Sequence, residues 1–370
     1  MNQAVQPDET ENSPGAKDGT KGSANREATE KPDQKPYEKP EKKEKCEPRE
    51  NGLEDKTDTN AVTANTKIAN TKIANTKKDN GLGSTIGRIA STPVDICDEI
   101  TAADFRRDYF SPNKPVILRK LTSEWPARAK WSTGYLAEVA GDRIVPLYSS
   151  KPAKGHKHQH AADARMPLRD YLEQLEAGEQ DLRMFFYNIL ENAPELVDDF
   201  SYPDLGLKFF KRLPVLFMGG RGAKVQMHFD IDYANLLLCH FGGRKRVLLV
   251  PPEQSQFMYR VPYSFSALYD VDFDNPDFSR FPALARLNAK TAELMHGDVL
   301  FIPSGYWHYI VYEDVGFSMT LRSMPTRPKQ QMALARNILI TRTVDGLMRR
   351  LIGQRWNERN ERRALTSAVV

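Results

Sequence analysis

Two histidines and one carboxylate stand in this chain where strand geometry can bring them to a single point. The first two lie in His228-Phe229-Asp230. Alternate residues of an extended strand share a face, so His228 and Asp230 point one way and Phe229 the other. The third lies in GDVLFIPSGYWH, Gly297 to His308, a short apolar run, a tight turn at Pro303-Ser304-Gly305, and a histidine at the turn's exit. Two imidazoles and a carboxylate form the facial triad that holds Fe(II) and leaves positions open for other ligands and oxygen. The implied chemistry is that of an oxygenase, with His228, Asp230 and His308 as metal ligands. Asp232 is a further carboxylate on the same face. It lies four strand residues from His228, about 13 Å along an extended chain, and reaches the same ion less easily.

The open positions suit a 2-oxoacid, which chelates iron through its carboxylate and keto oxygen. A second carboxylate on such a ligand then needs a cation inside the fold, because an unpaired buried charge is costly. In Gly243-Arg244-Lys245-Arg246-Val247, alternation puts Lys245 with Val247 and Leu249 on the inward face, with Arg244 and Arg246 on the other. Arg322, at the end of the strand-like SMTLR, is a rival for the same role. Asn235 is a candidate hydrogen-bond partner for the ligand or, equally, a turn residue.

Positioning these groups requires strands. Extended segments are predicted at residues 114–118, 182–190, 224–229, 234–241, 244–250, 298–302, 308–312 and 316–322, with a hairpin turn at Gly242-Gly243. Helices are predicted from Thr101, at 133–140, 167–177 and 193–200, and across 329–363. Residues 253–290 read as a long excursion rich in Asp, Pro and Phe. Several short strands with turn signals give a mainly β fold with flanking helices, a barrel or double-stranded β-helix core, and a C-terminal helical extension.

Residues 1–80 hold one aromatic, Tyr37, and many charges of both signs. Such a segment cannot bury enough apolar surface to offset its chain entropy and is expected to be disordered. The division expected is therefore a low-complexity tail over 1–90, an oxygenase domain over 91–325 and helices over 326–370. The net charge of +4 selects no class of partner. The three cysteines form no CxxC motif, which suggests a reducing compartment without a disulfide framework. No apolar h-region and no run long enough to span a bilayer is visible, so a cytoplasmic protein with no membrane partner is expected. His156, His158 and His160 alternate in a polar loop without carboxylate or cysteine companions and are read as solvated. His240 and His296 are read as structural.

The combination resembles the JmjC/cupin-like family of Fe(II)- and 2-oxoglutarate-dependent oxygenases. It comes nearest to the asparaginyl hydroxylase that inhibits hypoxia-inducible factor and its bacterial cupin-like relatives. The residues that carry the resemblance are HFD at 228, Asn235, GGRKR at 242, VDFDNPDFSRFP at 271 and GDVLFIPSGYWH at 297, with DYFSPNKPVILRKL and WPARAKW upstream. It implies a jelly-roll (cupin) core, iron at His228, Asp230 and His308, the 2-oxoglutarate carboxylate at Lys245, and Asn235 near the co-substrate. The family's aromatic hydroxyl contact falls near Phe185, Phe186 or Tyr187, with Tyr187 favoured. Val225 stands where the asparaginyl hydroxylase has a threonine, and Arg322 where it has an asparagine.

The function expected is hydroxylation of a protein or peptide side chain. Alternatives are the same chemistry on RNA or a small molecule, N-methyl demethylation, or a catalytically inactive cupin-fold binding protein; an intact triad together with Lys245 argues against the last. Apolar positions at Leu334, Ile338, Leu347, Leu351 and Ile352 suggest a homodimer through the C-terminal helices, as in relatives. The basic residues beside them make nucleic acid conceivable but not favoured, because no aromatic interleaving accompanies them.

Overall fold

A computed structural model describes residues 88–150, 162–178 and 181–368. The N-terminal tail and the His156–His160 loop, and with them the expectations of disorder and of a solvated loop, lie outside the described residues. Fourteen strands occur among those described: β1 Ala90–Pro93, β2 Asp95–Cys97, β3 Val116–Leu118, β4 Ile144–Tyr148, β5 Ala164–Pro167, β6 Arg183–Asn188, β7 Val215–Gly219, β8 Lys224–His228, β9 Asn235–Gly242, β10 Lys245–Val250, β11 Asn288–Leu294, β12 Val299–Ile302, β13 Trp307–Tyr312 and β14 Gly316–Ser323. They form a five-stranded sheet, β1-β11-β10-β13-β8, and a nine-stranded sheet, β2-β3-β12-β9-β14-β7-β6-β4-β5. Pairing crosses the sequence repeatedly: β9 lies between β12 and β14, and β10 between β11 and β13. This is the mainly β, jelly-roll type of core that the sequence implies.

Alternation along each strand sorts the apolar residues into three layers. Between the sheets lie Leu236 and Leu238 of β9, Val247 and Leu249 of β10, Leu300 and Ile302 of β12, and Ile310 and Tyr312 of β13. The outer face of the large sheet, with Leu237, Cys239 and Phe241, is covered by the helices Thr133–Ala140 and Leu168–Ala177. The outer face of the small sheet, with Trp307, Tyr309 and Val311, is covered by the excursion through Phe257, Leu268 and Phe281. With both faces covered, β9, β13 and β14 can be buried along nearly their whole length.

Several expected boundaries move. The strand expected to reach residue 190 ends at Asn188, whose side chain accepts the amide of Leu190 at 3.2 Å and opens a single helical turn, Ile189–Asn192. Pro194–Asp199 is helical as expected, in the tighter 3-10 form. The excursion ends in β11, which pairs with β10. The C-terminal segment comprises Pro328–Arg336, a π-helical turn, Arg342–Ile352 and, after Gly353 at φ +54°, Gln354–Ser367. Cys239 is a free thiol buried in β9. Among the described residues no helix is long and apolar enough to cross a membrane.

Candidate metal centre

β8 and β13 are antiparallel neighbours, and their register sets His228 directly opposite His308. The two rings lie 4.1 Å apart between centroids. β8 stops at His228, so Asp230 sits in the turn beyond it, with its Oδ1 3.7 Å from His228 Nε2. One ligand atom from each of His228, Asp230 and His308 lies within 4.8 Å of the others. Phe229 turns the opposite way, onto Trp307 at 4.8 Å.

Each imidazole is fixed through its other nitrogen. His228 Nδ1 lies 2.8 Å from the Gln226 carbonyl, and His308 Nδ1 3.2 Å from the Tyr306 carbonyl. A carbonyl only accepts, so each Nδ1 carries the proton and each Nε2 presents a lone pair to the centre. Burial, reinforced by His308, lowers the pKa of His228 to about 3, and burial lowers that of His308. For Asp230 burial acts upward, yet the Arg322 guanidinium and both histidines outweigh it and hold the carboxyl at about 2. Two neutral imidazoles and one carboxylate are the protonation states that bind a divalent cation. Three converging donors on one side leave the remaining positions of a six-coordinate ion open.

The turn before His308 is built to place it. Gly305 has φ +80°, which an L side chain rarely adopts, and a Cβ there would lie 3.0 Å from the Tyr233 ring. Ser304 donates its hydroxyl to the Tyr233 carbonyl at 2.5 Å, and its amide donates to Asn235 Oδ1 at 3.0 Å. Asn235 therefore pins the Pro303–Gly305 turn against the loop that carries Asp230. Its carbonyl oxygen is engaged in that turn.

Arg322 does not stand free as a carboxylate anchor. Its Nη2 donates to Asp230 Oδ2 at 2.9 Å and to Asp232 Oδ1 at 2.7 Å. The guanidinium thus orients the metal-facing carboxylate and holds Asp232 away from the centre. Tyr187 is also displaced from its expected place. Phe185 and Phe186 together oppose one residue of β7, and this bulge, with Phe186 at φ +54°, turns Tyr187 to the outer face of the sheet. Its hydroxyl donates to the Asn192 carbonyl at 3.1 Å.

Lys245 fulfils its expectation of facing inward. It is 1 % exposed, and its Nζ stands 3.9 Å above the centre of the Tyr312 ring. Burial lowers its pKa well below the ordinary lysine value. Among the described residues no carboxylate pairs with it; its ammonium donates to Ser318 Oγ. Ser318 pairs directly with His240 across β14 and β9, and its Oγ lies 3.0 Å from His240 Nδ1. His240 Nε2 is 2.5 Å from the Gly243 carbonyl, so Nε2 carries the proton and Nδ1 accepts from Ser318. A chain of donors therefore runs from Lys245 through Ser318 and His240 to Gly243. His240, without a sequence-local partner, is a member of this network. The signal that finds it is its shared β9 face with Leu236 and Leu238.

The space between the two sheets is thus polar at two levels: the converging donors at one end and the Lys245 amine, with no carboxylate beside it among the described residues, farther along. The residues fit the iron and 2-oxoacid that the sequence implies.

Comparison with known proteins agrees with this geometry. A family model described as a cupin-like domain matches residues 102–335. Lysine-specific demethylase 8 of Danio rerio is 29 % identical over 227 residues, covering 58 % of this chain and 54 % of its own. Lysine-specific demethylase JMJ30 of Arabidopsis thaliana is 29 % identical over 216 residues, covering 56 % of this chain and 49 % of its own. The tRNA wybutosine-synthesizing protein 5 of Gallus gallus is 26 % identical over 245 residues, covering 60 % of this chain and 74 % of its own. The chain spans about half the length of these demethylases. With its two-sheet core, its His-Asp-His centre and a match over more than half its length, the chain belongs to the cupin-like, JmjC-type family of Fe(II)- and 2-oxoglutarate-dependent oxygenases.

Proposed function

We propose that this protein oxidises a C–H bond of a protein or peptide side chain, using Fe(II) and 2-oxoglutarate. The observation that carries the reading is the pairing of two features in one chamber: the His228-Asp230-His308 centre and the buried, carboxylate-free Lys245. When bound, the iron and the 2-oxoacid supply oxygen activation, with the co-substrate leaving as succinate and CO2. The protein's part is to bind, orient and enclose.

His228, Asp230 and His308 hold the metal from one side. Arg322 keeps Asp230 ionised and turned toward the metal. Lys245 receives the distal carboxylate, directed by Ser318 and His240. Leu238, Val247, Leu249 and Ile310 keep the space between these ends apolar, which strengthens each charged contact. A protein substrate is favoured because the demethylase relatives are named for lysine, an amino-acid side chain. Incubating the proteome of cells lacking the protein with the purified chain, Fe(II) and 2-oxoglutarate tests this. Peptides that gain one oxygen atom, or lose a methyl group, support it. Modified nucleosides in extracted RNA, with no modified peptide, would replace it.

The assembly proposed with this function is a homodimer. Met332, Leu339, Ile340, Leu347 and Leu351 of the C-terminal helical segment are all exposed in the single chain. A self-complementary pairing of two such segments would cover them. The same segment reaches the metal loop, where Asn337 Nδ2 donates to the Ile231 carbonyl at 3.0 Å.

A further inference from the structure

We propose that Arg183 is a second anion anchor in the chamber and that, with Lys245, it selects a 2-oxoacid bearing a distal carboxylate. The proposal rests on the co-substrate reading above and assigns it a residue that the sequence did not single out.

Arg183 is the first residue of β6 and pairs directly with Gly219 of β7. Paired residues on neighbouring strands share a face. That face looks at Tyr312, because a Cβ on Gly219 would lie 3.0 Å from the Tyr312 ring. Lys245 Nζ covers the same ring at 3.9 Å. Met184, next along β6, goes to the outer core. Both cations therefore border Tyr312 from inside the chamber, and the missing side chain at Gly219 leaves Arg183 access to it.

The hydrogen bonding of Arg183 is incomplete. Nη1 donates to the Ser149 carbonyl at 3.0 Å. Nε is buried and has no partner among the described residues. Asp181, two residues away, accepts instead from the amide and hydroxyl of Ser150, at 3.2 and 2.6 Å, and makes no ion pair with the guanidinium among the described residues. A half-buried guanidinium with a buried, unused Nε–H and no carboxylate partner among the described residues is costly until an anion meets it. Its planar fork matches a carboxylate, where the ammonium of Lys245 supplies only a point charge. The electrostatics agree: Arg183 is the cation that lowers the Tyr312 phenol against the upward effect of burial. The phenol expected at residues 185–187 is carried outward by the bulge, whereas Arg183 shares the inward face of Gly219 at the start of β6.

The test is equilibrium binding to the full chain loaded with Mn(II), by calorimetry, comparing 2-oxoglutarate with pyruvate. Pyruvate keeps the chelating end and lacks the distal carboxylate. Arg183→Gln is expected to weaken 2-oxoglutarate about ten- to a hundredfold, the range of one charge-assisted bond, while pyruvate and Mn(II) affinities stay as in the unmodified protein. Arg183→Lys, which keeps a cation without the fork, is expected to fall between. Equal losses for both oxoacids in both variants overturn the proposal, as does unchanged 2-oxoglutarate affinity in Arg183→Gln while Lys245→Ala weakens it. If neither variant alters 2-oxoglutarate binding, the co-substrate reading itself fails together with this one.

Discussion

Arg322 donates to Asp230 at 2.9 Å with the same guanidinium nitrogen that holds Asp232 at 2.7 Å. One buried cation thus separates two carboxylates that lie two residues apart, turning Asp230 toward the histidines and engaging Asp232 itself.

Removing that cation should loosen the metal. Arg322→Gln is expected to lower Mn(II) or Fe(II) affinity about ten- to a hundredfold, as for other groups that orient a metal-ligating side chain. It leaves two partly buried carboxylates without their cation, so unfolding free energy should drop by about 3–5 kcal/mol. Metal titration and chemical denaturation of the same variant check both effects. Unchanged metal affinity would mean that Asp230 is oriented by its turn alone.

Lys245→Ala should weaken 2-oxoglutarate binding about ten- to a hundredfold while metal affinity is retained. Ser318→Ala should weaken it less, since it removes the group that directs the ammonium and not the charge. Calorimetry on the Mn(II)-loaded protein measures both. A larger effect at Ser318 than at Lys245 would reverse the roles assigned here.

Acid should destabilise the fold through His240. Burial, with Lys245 beside it, lowers its pKa to about 3 in the folded chain, against 6.5 for the free side chain. The unfolded state therefore takes up a proton first as pH falls, and the stability from a neutral His240 is full above about pH 6.5 and is lost progressively toward pH 3. His240→Gln should flatten the fall in melting temperature across this window. An identical pH profile in the variant would show that other groups set acid stability.

Leu347→Arg together with Leu351→Arg places two charges on the exposed apolar face of Arg342–Ile352 and should yield monomers. Light scattering on the unmodified protein at tens of micromolar is expected to give twice the chain mass. A single-chain mass would return this basic helical segment to the candidates for nucleic-acid contact.

The site was legible wherever a strand keeps strict alternation. Lys245, Val247 and Leu249 share an inward face as their spacing implies, and His308 stands opposite His228 across β13 and β8, although that register shifts between His308 and Ile310. It was illegible where pairing is irregular or partners are distant in sequence. The bulge at Phe185-Phe186 reverses the face of Tyr187, and nothing local announces an extra residue. Arg322 reads as a free cation until β14 brings it to carboxylates ninety residues upstream. His240 joins Lys245 only through Ser318, on a third strand. In the fold, β4, β5 and β7, of four or five residues each, escape notice, whereas the equally short β12 is found because Gly297 precedes it and the Pro303-Ser304-Gly305 turn follows it.

The most direct measurement is metal-dependent conversion of 2-oxoglutarate to succinate by the purified chain, in the unmodified protein and in His308→Ala. The unmodified protein is expected to release succinate when Fe(II) and oxygen are both supplied and to stop when the metal is chelated. His308→Ala, with the fold retained by circular dichroism, is expected to release none above background. Equal succinate from the two proteins, or no succinate from the unmodified protein under any metal loading, would contradict the assignment of His228, Asp230 and His308 as the catalytic centre.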